Sequence, residues 1–280
     1  MSSRGWFRGV ALAVGLVFLY LPILLMIGAS FNFSRLVTVW DPVHSPTLKW
    51  YGELMNDDKL IRAALLSVRI ALLTACGAAV LGTVAGFVLA RFGPFRGRAL
   101  LSTLTTAPLV MPEVITGLAM LILFVSLEQW IGWPQGRGLV TIALAHITFA
   151  MSYVTLVVQS RLAGFDASLE EAALDLGARP LTVFFRITLP LILPAIVSGW
   201  LLAFTLSWDD VVISQFVSGP GSSTLPVVVF SRVRLGVSPT VNALATILVT
   251  IVTLCVVVAA TVMRRREQRR AVESQMAAGP

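Results

Sequence analysis

The chain has 280 residues, of which 57% are hydrophobic and only 12% are charged, and its mean hydropathy is +0.87. A soluble domain would carry about 25% charged residues, so the composition excludes a water-soluble globular protein and indicates an integral membrane protein. Strict alternation of apolar and polar residues is absent, so the spanning elements are expected to be helices and not barrel strands. The net charge of +7 needs no nucleic acid to explain it, because basic flanks of membrane spans account for much of it.

Six apolar stretches are long enough to cross a bilayer, which takes about 20 residues. The predicted spans are 9–31, 66–90, 100–127, 138–160, 187–214 and 239–263. The first is longer than a signal-peptide core and lacks a small-residue cleavage site, so it is expected to remain as an anchor. The sequence therefore predicts an all-α, six-span protein that forms a single transmembrane domain over residues 1–280.

The distribution of Lys and Arg predicts the orientation. With a cytoplasmic N-terminus, the inner segments hold thirteen basic residues and the outer segments seven, with Arg69 at a span edge. The positive-inside rule then places both termini, the loop 161–186 and the tail 264–280 in the cytoplasm. Several aromatic residues fall at or beyond the outer interface, as an aromatic belt requires; they are Trp40, Trp50, Tyr51, Trp130 and Trp133.

The third span contains Glu113, directly after Pro112. A charged side chain at the centre of a spanning helix costs about 2.5–3.5 kcal/mol, so an acid at that depth is a candidate functional residue. Glu113 can equally sit in the first turn of a helix that restarts after a proline break, where the helix dipole favours a carboxylate. Pro108 and Pro112 are accordingly expected to bend the span or to form packing kinks.

No catalytic or metal-binding constellation is visible. Cys76 and Cys255 lie inside predicted spans and are interpreted as small buried hydrophobes, and His44 and His146 lack companion ligands. No Walker A pattern occurs, so the chain is expected to bind no cofactor and to hydrolyse no ATP by itself. A membrane-embedded enzyme is therefore disfavoured.

The segment "SLEEAALDLG", residues 168–177, predicts a short acidic helix between spans four and five. Ser168 and Glu171 have the spacing of a capping box, and Gly177 is expected at the C′ position. An apolar stripe follows helical spacing; it consists of Leu169, Ala172, Ala173 and Leu176. A helix of about nine residues is unstable alone in water. It can lie on the bilayer surface or dock on a protein, and its acidic face favours the protein.

The fifth span opens with Pro190 and Pro194 and ends at Trp208, Asp209 and Asp210. The two neighbouring carboxylates are about 100° apart on a helix, so one is expected to face a pathway and the other a partner, or both to mark a solvated helix end. Counting residues at about 1.5 Å each allows Glu113, Asp209 and Asp210 to share one cation-selective layer, with Trp208 adding a cation–π contact. Beyond them, "SGPGSSTLP", residues 218–226, predicts a loop at the pathway mouth.

The run "EAALDLGARPLTVFFRITLP" resembles the cytoplasmic motif of bacterial ABC importer permeases at every fixed position. The matching residues are Glu171, Ala172, Ala173, Gly177, Ile187, Leu189 and Pro190. The resemblance implies the type I (MetI-like) permease fold and an ATPase-coupling loop, which also contains Glu170 and Asp175. A secondary transporter is disfavoured, because it would show inverted repeats and no docking helix.

Further stretches, including "APLVMPEVITGLAMLILF" and "SGPGSSTLP", are similar to the second permease of putrescine and spermidine importers, and closer to the putrescine type. This resemblance implies a polyamine cargo, with spermidine or another small cation as the alternative. It also implies that the chain lies in the bacterial inner membrane and that its partners are a second homologous permease, two copies of an ATP-binding subunit that uses ATP and Mg, and a periplasmic polyamine-binding protein.

Overall fold

The computed structural model describes residues 3–35, 39–236 and 238–277, and this part of the chain folds into twelve α-helices and one π-helical turn. The helices are α1 Ser3–Ser30, α2 Lys49–Met55, α3 Asp58–Arg91, α4 Arg98–Val110, α5 Glu113–Ile131, α6 Leu139–Ala163, α7 Ser168–Asp175, α8 Pro180–Val183, α9 Leu189–Trp208, α10 Val212–Val217, α11 Leu225–Leu235 and α12 Pro239–Ala277. No strand occurs among the described residues. They form two compact units, residues 1–58 with 231–280, and residues 59–230.

Six helical segments are long and apolar enough to cross a membrane, which confirms the predicted number of spans. They are Trp6–Ser30, Asp58–Arg91, Glu113–Ile131, Leu139–Ala163, Pro180–Trp208 and Pro239–Val258. The third span begins later than predicted, because 100–127 is divided between α4 and α5. The fifth ends earlier than predicted, because α9 stops at Trp208 and α10 is a separate short helix.

The prolines of the third span have different effects. α4 continues past Pro108 to Val110, whereas Met111 is extended (φ −75°, ψ 137°) and Pro112 is the N-cap of α5. The residue before a proline is driven out of the helical region by steric contact with the proline ring. Only Pro112 therefore breaks the span.

Between α8 and α9 the fifth span contains a π-helical turn, Phe184–Thr188, in which the Leu189 N–H donates to the Phe184 carbonyl five residues back. Pro190 follows directly and has no N–H to donate, so a wider turn before it accommodates the missing helical bond. α9 then continues through Pro194 to Trp208. Ile187, Leu189 and Pro190 thus form a continuous join between the predicted coupling loop and the span.

In the unit of residues 59–230, α3, α6 and α9 approach each other through small residues. A Cβ placed on Gly82 would lie 2.6 Å from Val154 Cβ, and one on Gly86 would lie 2.9 Å from the Thr155 carbonyl oxygen. Gly199 of α9 approaches Val154 from its own side, where a Cβ would lie 3.1 Å from Val154 Cγ1. Glycines four residues apart on one helix face permit this close packing of membrane helices.

The unit of residues 1–58 and 231–280 is built around Trp50, which is 2% exposed and whose Nε1 donates to the Asn32 carbonyl at 2.6 Å. Asp57 and Arg232 form an ion pair at 2.7 Å, and α1 packs against α12. The most apolar window of α1 has no buried residue, so the described part of the chain leaves its surface uncovered. The cysteines are not buried as expected: Cys76 and Cys255 are both exposed.

Replacing Gly82 by Ala tests the α3–α6 packing. The added methyl group would overlap Val154 and the Met151 carbonyl, so we expect Gly82→Ala to lower the free energy of unfolding by about 1–3 kcal/mol. Thermal unfolding of the purified assembly in detergent measures the change. Gly15→Ala is the matched control, because Gly15 lies in α1 with nothing within 4 Å of the added Cβ. Equal midpoints for the two variants would contradict the packing account.

Candidate functional site

The N-terminal end of α7 differs from the predicted capping box. The helix begins at Ser168 itself, Ala167 occupies the N-cap position, and no side chain caps the helix from there. Instead the Ser168 N–H donates to Asp166 Oδ1 at 3.0 Å, and this bond lowers the pKa of the Asp166 carboxyl below its usual value. The capping box was wrong because Asp166, two residues upstream, offers a stronger acceptor to the same segment.

The C-terminal end of α7 is as predicted. Gly177 has φ +82° and lies at C′, one residue beyond the helix cap at Leu176. The Gly177 N–H donates to the Leu174 carbonyl at 2.9 Å, and the Ala178 N–H donates to the Ala173 carbonyl at 3.0 Å. These two bonds form a Schellman motif, which needs a left-handed residue at C′ and so favours glycine.

No residue of α7 is buried within the chain. Leu169 is 51% exposed, and Leu176, just beyond the helix, is 89% exposed. Glu171 and Asp175 are exposed as well. The predicted apolar stripe is therefore present, but the described part of the chain leaves it uncovered. An eight-residue helix with an open apolar side depends on outside contacts for stability.

Glu170 fastens α7 to two spans. One of its carboxylate oxygens, Oε2, lies 3.0 Å from Arg91 Nε at the end of α3, and the other, Oε1, accepts from the Thr188 hydroxyl at 2.8 Å. Both charged side chains are largely shielded, with 17% of Arg91 and 13% of Glu170 exposed. Sequence reasoning included Glu170 in the loop but could not show these partners, which lie far from it along the chain.

Asp210 lies in a buried polar cluster between α6 and α10. Its Oδ2 is 3.1 Å from His146 Nε2 and accepts from the Ser214 N–H at 2.7 Å, while its Oδ1 accepts from the Ile213 N–H at 3.2 Å. The side chains of His146 and Asp210 are 3% and 8% exposed. Asp210 thus caps the first turn of α10 and bonds that helix to α6.

The cluster extends to two further helices. His146 Nδ1 is 2.7 Å from Ser207 Oγ of α9, and the Ser207 hydroxyl donates to Thr74 Oγ1 of α3 at 3.3 Å. Ser214 Oγ lies 3.2 Å from His146 Nε2. Because a carboxylate only accepts hydrogen bonds, Nε2 carries the proton that faces Asp210. His146 is therefore the centre of the cluster, a role that its sequence surroundings did not reveal.

Asp209 differs from its neighbour. It is the C-cap of α9, its backbone N–H donates to the Thr205 carbonyl at 3.2 Å, and its side chain is exposed. The expectation that the two carboxylates share a helix was wrong, because α9 ends at Trp208 and α10 begins only at Val212. The chain bends between the helices and turns the two side chains into different surroundings.

Glu113 is the first residue of α5 and is exposed. One turn further on, Gly117 packs against α10, where a Cβ would lie 2.7 Å from Phe216 Cδ2 and 3.4 Å from Ile213 Cα. Glu113 therefore lies about 6 Å along the helix axis from Gly117, which contacts α10. That Glu113, Asp209 and Asp210 form one layer stays a prediction.

Trp208 closes a row of three aromatic rings on α9. Trp208 stacks on Phe204 with ring centroids 6.1 Å apart and planes at 9°, and Phe204 stacks on Trp200 at 5.7 Å and 17°. Trp200 Nε1 donates to Cys76 Sγ at 3.4 Å. The row ends next to the exposed Asp209, so an aromatic face and a carboxylate adjoin at the end of this span.

The predicted loop 218–226 is non-helical only to residue 224, since α11 begins at Leu225. Gly219 approaches the Arg137 carbonyl so closely that no Cβ would fit, and the Gly219 N–H donates to Ser222 Oγ at 2.8 Å. The Thr141 hydroxyl lies 2.8 Å from the Val217 carbonyl. The loop is therefore held against the start of α6.

Comparison with known proteins agrees with this arrangement. Residues 82–272 match the family described as the binding-protein-dependent transport system inner membrane component. The chain is 54% identical to the putrescine transport system permease protein PotI of Escherichia coli (strain K12), over 98% of this chain and 96% of that protein. It is 40% identical to the spermidine/putrescine transport system permease protein PotC of the same strain, over 89% and 91%.

Among solved structures, a bacterial ABC transporter involved in the import of the acidic polysaccharide alginate is similar with a TM-score of 0.71. The match has 16% sequence identity and covers 93% of this chain and 97% of that one, so it shows a shared fold. The family is described as an inner membrane component, and the six apolar spans of this chain agree with that description. The matched residues 82–272 include the exposed α7 loop. The chain therefore belongs to the family of inner-membrane components of binding-protein-dependent transport systems.

Proposed function

We propose that the chain is the transmembrane permease subunit of an ATP-driven importer that carries polyamines, with putrescine as the main cargo, across the bacterial inner membrane. The observation that carries the proposal is the 54% identity to PotI along almost the whole chain. Spermidine is the second candidate, supported by the 40% identity to PotC. The chain itself binds no cofactor in this proposal.

The proposed complex pairs this chain with a second homologous permease, places both on two copies of an ATP-binding subunit that uses ATP and Mg, and receives cargo from a periplasmic binding protein. The family description, which names a binding-protein-dependent system, supports this composition. Both termini and the α7 loop are cytoplasmic, in agreement with the excess of Lys and Arg in those segments.

In this arrangement the uncovered side of α7 docks on the ATP-binding subunit. Leu169, Leu176 and the intervening alanines supply the apolar contact, and the exposed Glu171 and Asp175 surround it. Because Glu170 forms an ion pair with Arg91 of α3 and accepts a hydrogen bond from Thr188 before α9, a displacement of α7 reaches two spans directly. ATP binding thereby switches the pathway from inward-facing to outward-facing.

The cation pathway runs past Asp209, Trp208 and Glu113. Asp209 and Glu113 are exposed, and neither forms an ion pair or a hydrogen bond with another residue through its side chain within the described part of the chain. Carboxylates can replace part of the hydration that an ammonium group loses in a low-dielectric path. The methylene linkers and ammonium groups of a polyamine also suit the face of Trp208. Asp210 positions α10 beside this path through its bonds to His146 and Ser214.

Uptake into proteoliposomes tests the proposal. The full complex is reconstituted with ATP inside and its binding protein outside, and labelled putrescine and spermidine are supplied separately. We expect ATP-dependent accumulation of putrescine in excess of spermidine. An assembled complex that hydrolyses ATP but accumulates neither would contradict a polyamine cargo, while a preference for spermidine would favour the second candidate.

Replacing Glu170 by Gln tests the link between α7 and the spans. Loss of the charge weakens the contact with Arg91, so we expect uptake per ATP hydrolysed to fall severalfold while the ATP-binding subunit still co-purifies. Glu53→Gln is the matched control, because Glu53 of α2 is an exposed glutamate outside the α7 loop and its ion pair with Lys49 is long, at 4.0 Å. Unchanged coupling in Glu170→Gln would rule out this role.

Asparagine variants separate the two neighbouring carboxylates. Asp210→Asn replaces a charged acceptor of two backbone N–H groups and of His146, so we expect it to lower the free energy of unfolding by about 1–3 kcal/mol. Asp209→Asn is expected to leave stability unchanged and to lower polyamine uptake, as is Glu113→Gln. Thermal unfolding and initial uptake rates are measured on the same preparations. Wild-type uptake in all three variants at normal expression would overturn the carboxylate layer.

A further inference from the structure

Three aromatic rings of α9 form a regular row that continues along the span from the proposed cation path. The ring of Trp200 stacks on Phe204, and Phe204 stacks on Trp208, with centroids 5.7 and 6.1 Å apart. The three residues follow each other at intervals of four, so they share one helix face, and the helix rise of about 6 Å per four residues sets the ring spacing. We call these three residues the aromatic row. The proposed cation path uses only Trp208, at the end of the row next to Asp209.

The depth of Trp200 is unusual for a tryptophan in a membrane span. Tryptophan is enriched at the two membrane interfaces, whereas Trp200 lies about 12 Å along the helix axis from Trp208, near the middle of the 20-residue α9. Its indole Nε1–H donates to Cys76 Sγ of α3 at 3.4 Å, so a second span fixes the orientation of the ring. A role as an interfacial anchor therefore does not explain Trp200.

The aromatic row combines an apolar backing with a partly open side. Trp200 and Phe204 pack on a buried, entirely apolar cluster that includes Ala75, Ala78 and Val154. The rings of the row are only partly buried, so they also have surface outside that cluster. The face of an aromatic ring attracts an ammonium group within about 6 Å of its centroid, and the attraction is stronger away from water. The row thus offers a cation several weak sites in succession.

The spacing of the rings matches a diamine of one length. Single bonds of about 1.5 Å give an extended chain of four methylenes an N-to-N separation of about 6 Å, against about 5 Å for three methylenes and about 9 Å for six. The observed centroid separations are 5.7 and 6.1 Å. Both ammonium groups of the four-methylene chain can therefore lie on adjacent rings at once. A shorter or longer chain places one of them away from its ring.

We propose that the aromatic row is a gauge of diamine length, along which a dication steps from the Asp209 carboxylate toward the middle of the membrane. This rests on the proposed function, because ring faces attract a cationic cargo. A chain of four methylenes keeps an ammonium group on a ring during each step, and several weak sites let the cargo leave as well as enter. Phe204 is the specificity-determining residue, since both ring pairs share it.

Protection of Cys76 from a water-soluble, cationic thiol reagent tests the inference. Cys76 is exposed and adjoins Trp200, and the only other cysteine, Cys255 of α12, is replaced by Ser in the parent complex. The full complex in nanodiscs is labelled without its binding protein, which would itself select the cargo, and mass spectrometry of this chain measures the labelling rate. We expect the four-methylene diamine to slow labelling at a lower concentration than the three-methylene and six-methylene diamines.

Replacing Phe204 removes the shared ring. In Phe204→Leu we expect the protecting concentration of the four-methylene diamine to rise about threefold or more, and the preference for chain length to disappear. Phe204→Tyr keeps the ring and is expected to retain the protection. Phe18→Leu is the matched control, because Phe18 is an exposed ring on α1 outside the aromatic row. Thermal unfolding and co-purification of the ATP-binding subunit confirm assembly, and the diamine series on the parent complex decides if Phe204→Leu does not assemble.

The outcomes separate this inference from the proposed function. Equal protection by all the diamines overturns the gauge, even when the wild-type complex imports putrescine. Unchanged protection in Phe204→Leu, or a Cys76 that the water-soluble reagent does not reach, overturns it as well and assigns the row to packing. Length-selective protection in a complex that imports no polyamine supports the aromatic row and contradicts only the cargo.

Discussion

Hydrocarbon offers a peptide group no water with which to form a hydrogen bond, and this constraint governs each irregular segment of the spanning helices. At residues 111–112, where α4 gives way to α5, the Pro112 carbonyl accepts from Ile115 and Thr116. At 184–188 a π-helical turn supplies the Leu189 bond that precedes Pro190. At 209–211 the Asp210 side chain takes the free N–H groups of α10. At each of these breaks, neighbouring groups thus supply part of the backbone hydrogen bonding.

The break after α9 has a consequence for the chemistry of the chain. A continuous helix would carry Asp209 and Asp210 as equivalent neighbours, but the bend gives them different surroundings. Asp210 is shielded and bonded to His146, whose other ring nitrogen contacts Ser207 of α9. Asp209 keeps an exposed carboxylate beside the aromatic row that ends at Trp208. One acid holds the backbone in place, whereas its neighbour is exposed.

The long helix α3 connects the other functional elements. Close packing at Gly82 and Gly86 holds it against α6, and Thr74 joins it to the polar cluster around His146. At its C-terminal end, Arg91 pairs with Glu170 of the α7 loop. A helix that exceeds the bilayer thickness can present both ends outside the hydrocarbon. In the proposed importer, the end at Arg91 faces the ATP-binding subunit.

The sequence by itself determined the features that depend on composition or on residues within one turn. The six spans follow from apolar runs, and the end of α7 at Gly177 follows from the need for a left-handed residue there. The family motif was also readable directly. By contrast, the capping box at Ser168 was wrong because a nearby acid competed for the same N–H. The helix ends near Pro112 and Trp208 could not be predicted from apolar runs, because they depend on local hydrogen bonds of the backbone.

Only the tertiary structure decided which distant side chains meet. His146 and Asp210 are 64 residues apart, and each looked isolated in its own segment. The same holds for Glu170 with Arg91 and for Gly82 with Val154. Nothing in the local pattern distinguishes Asp209 from Asp210, since both follow the same apolar helix. Their difference arises where the backbone turns and α6 brings a histidine to one of them, because hydrogen bonds depend on distance in space and not along the chain.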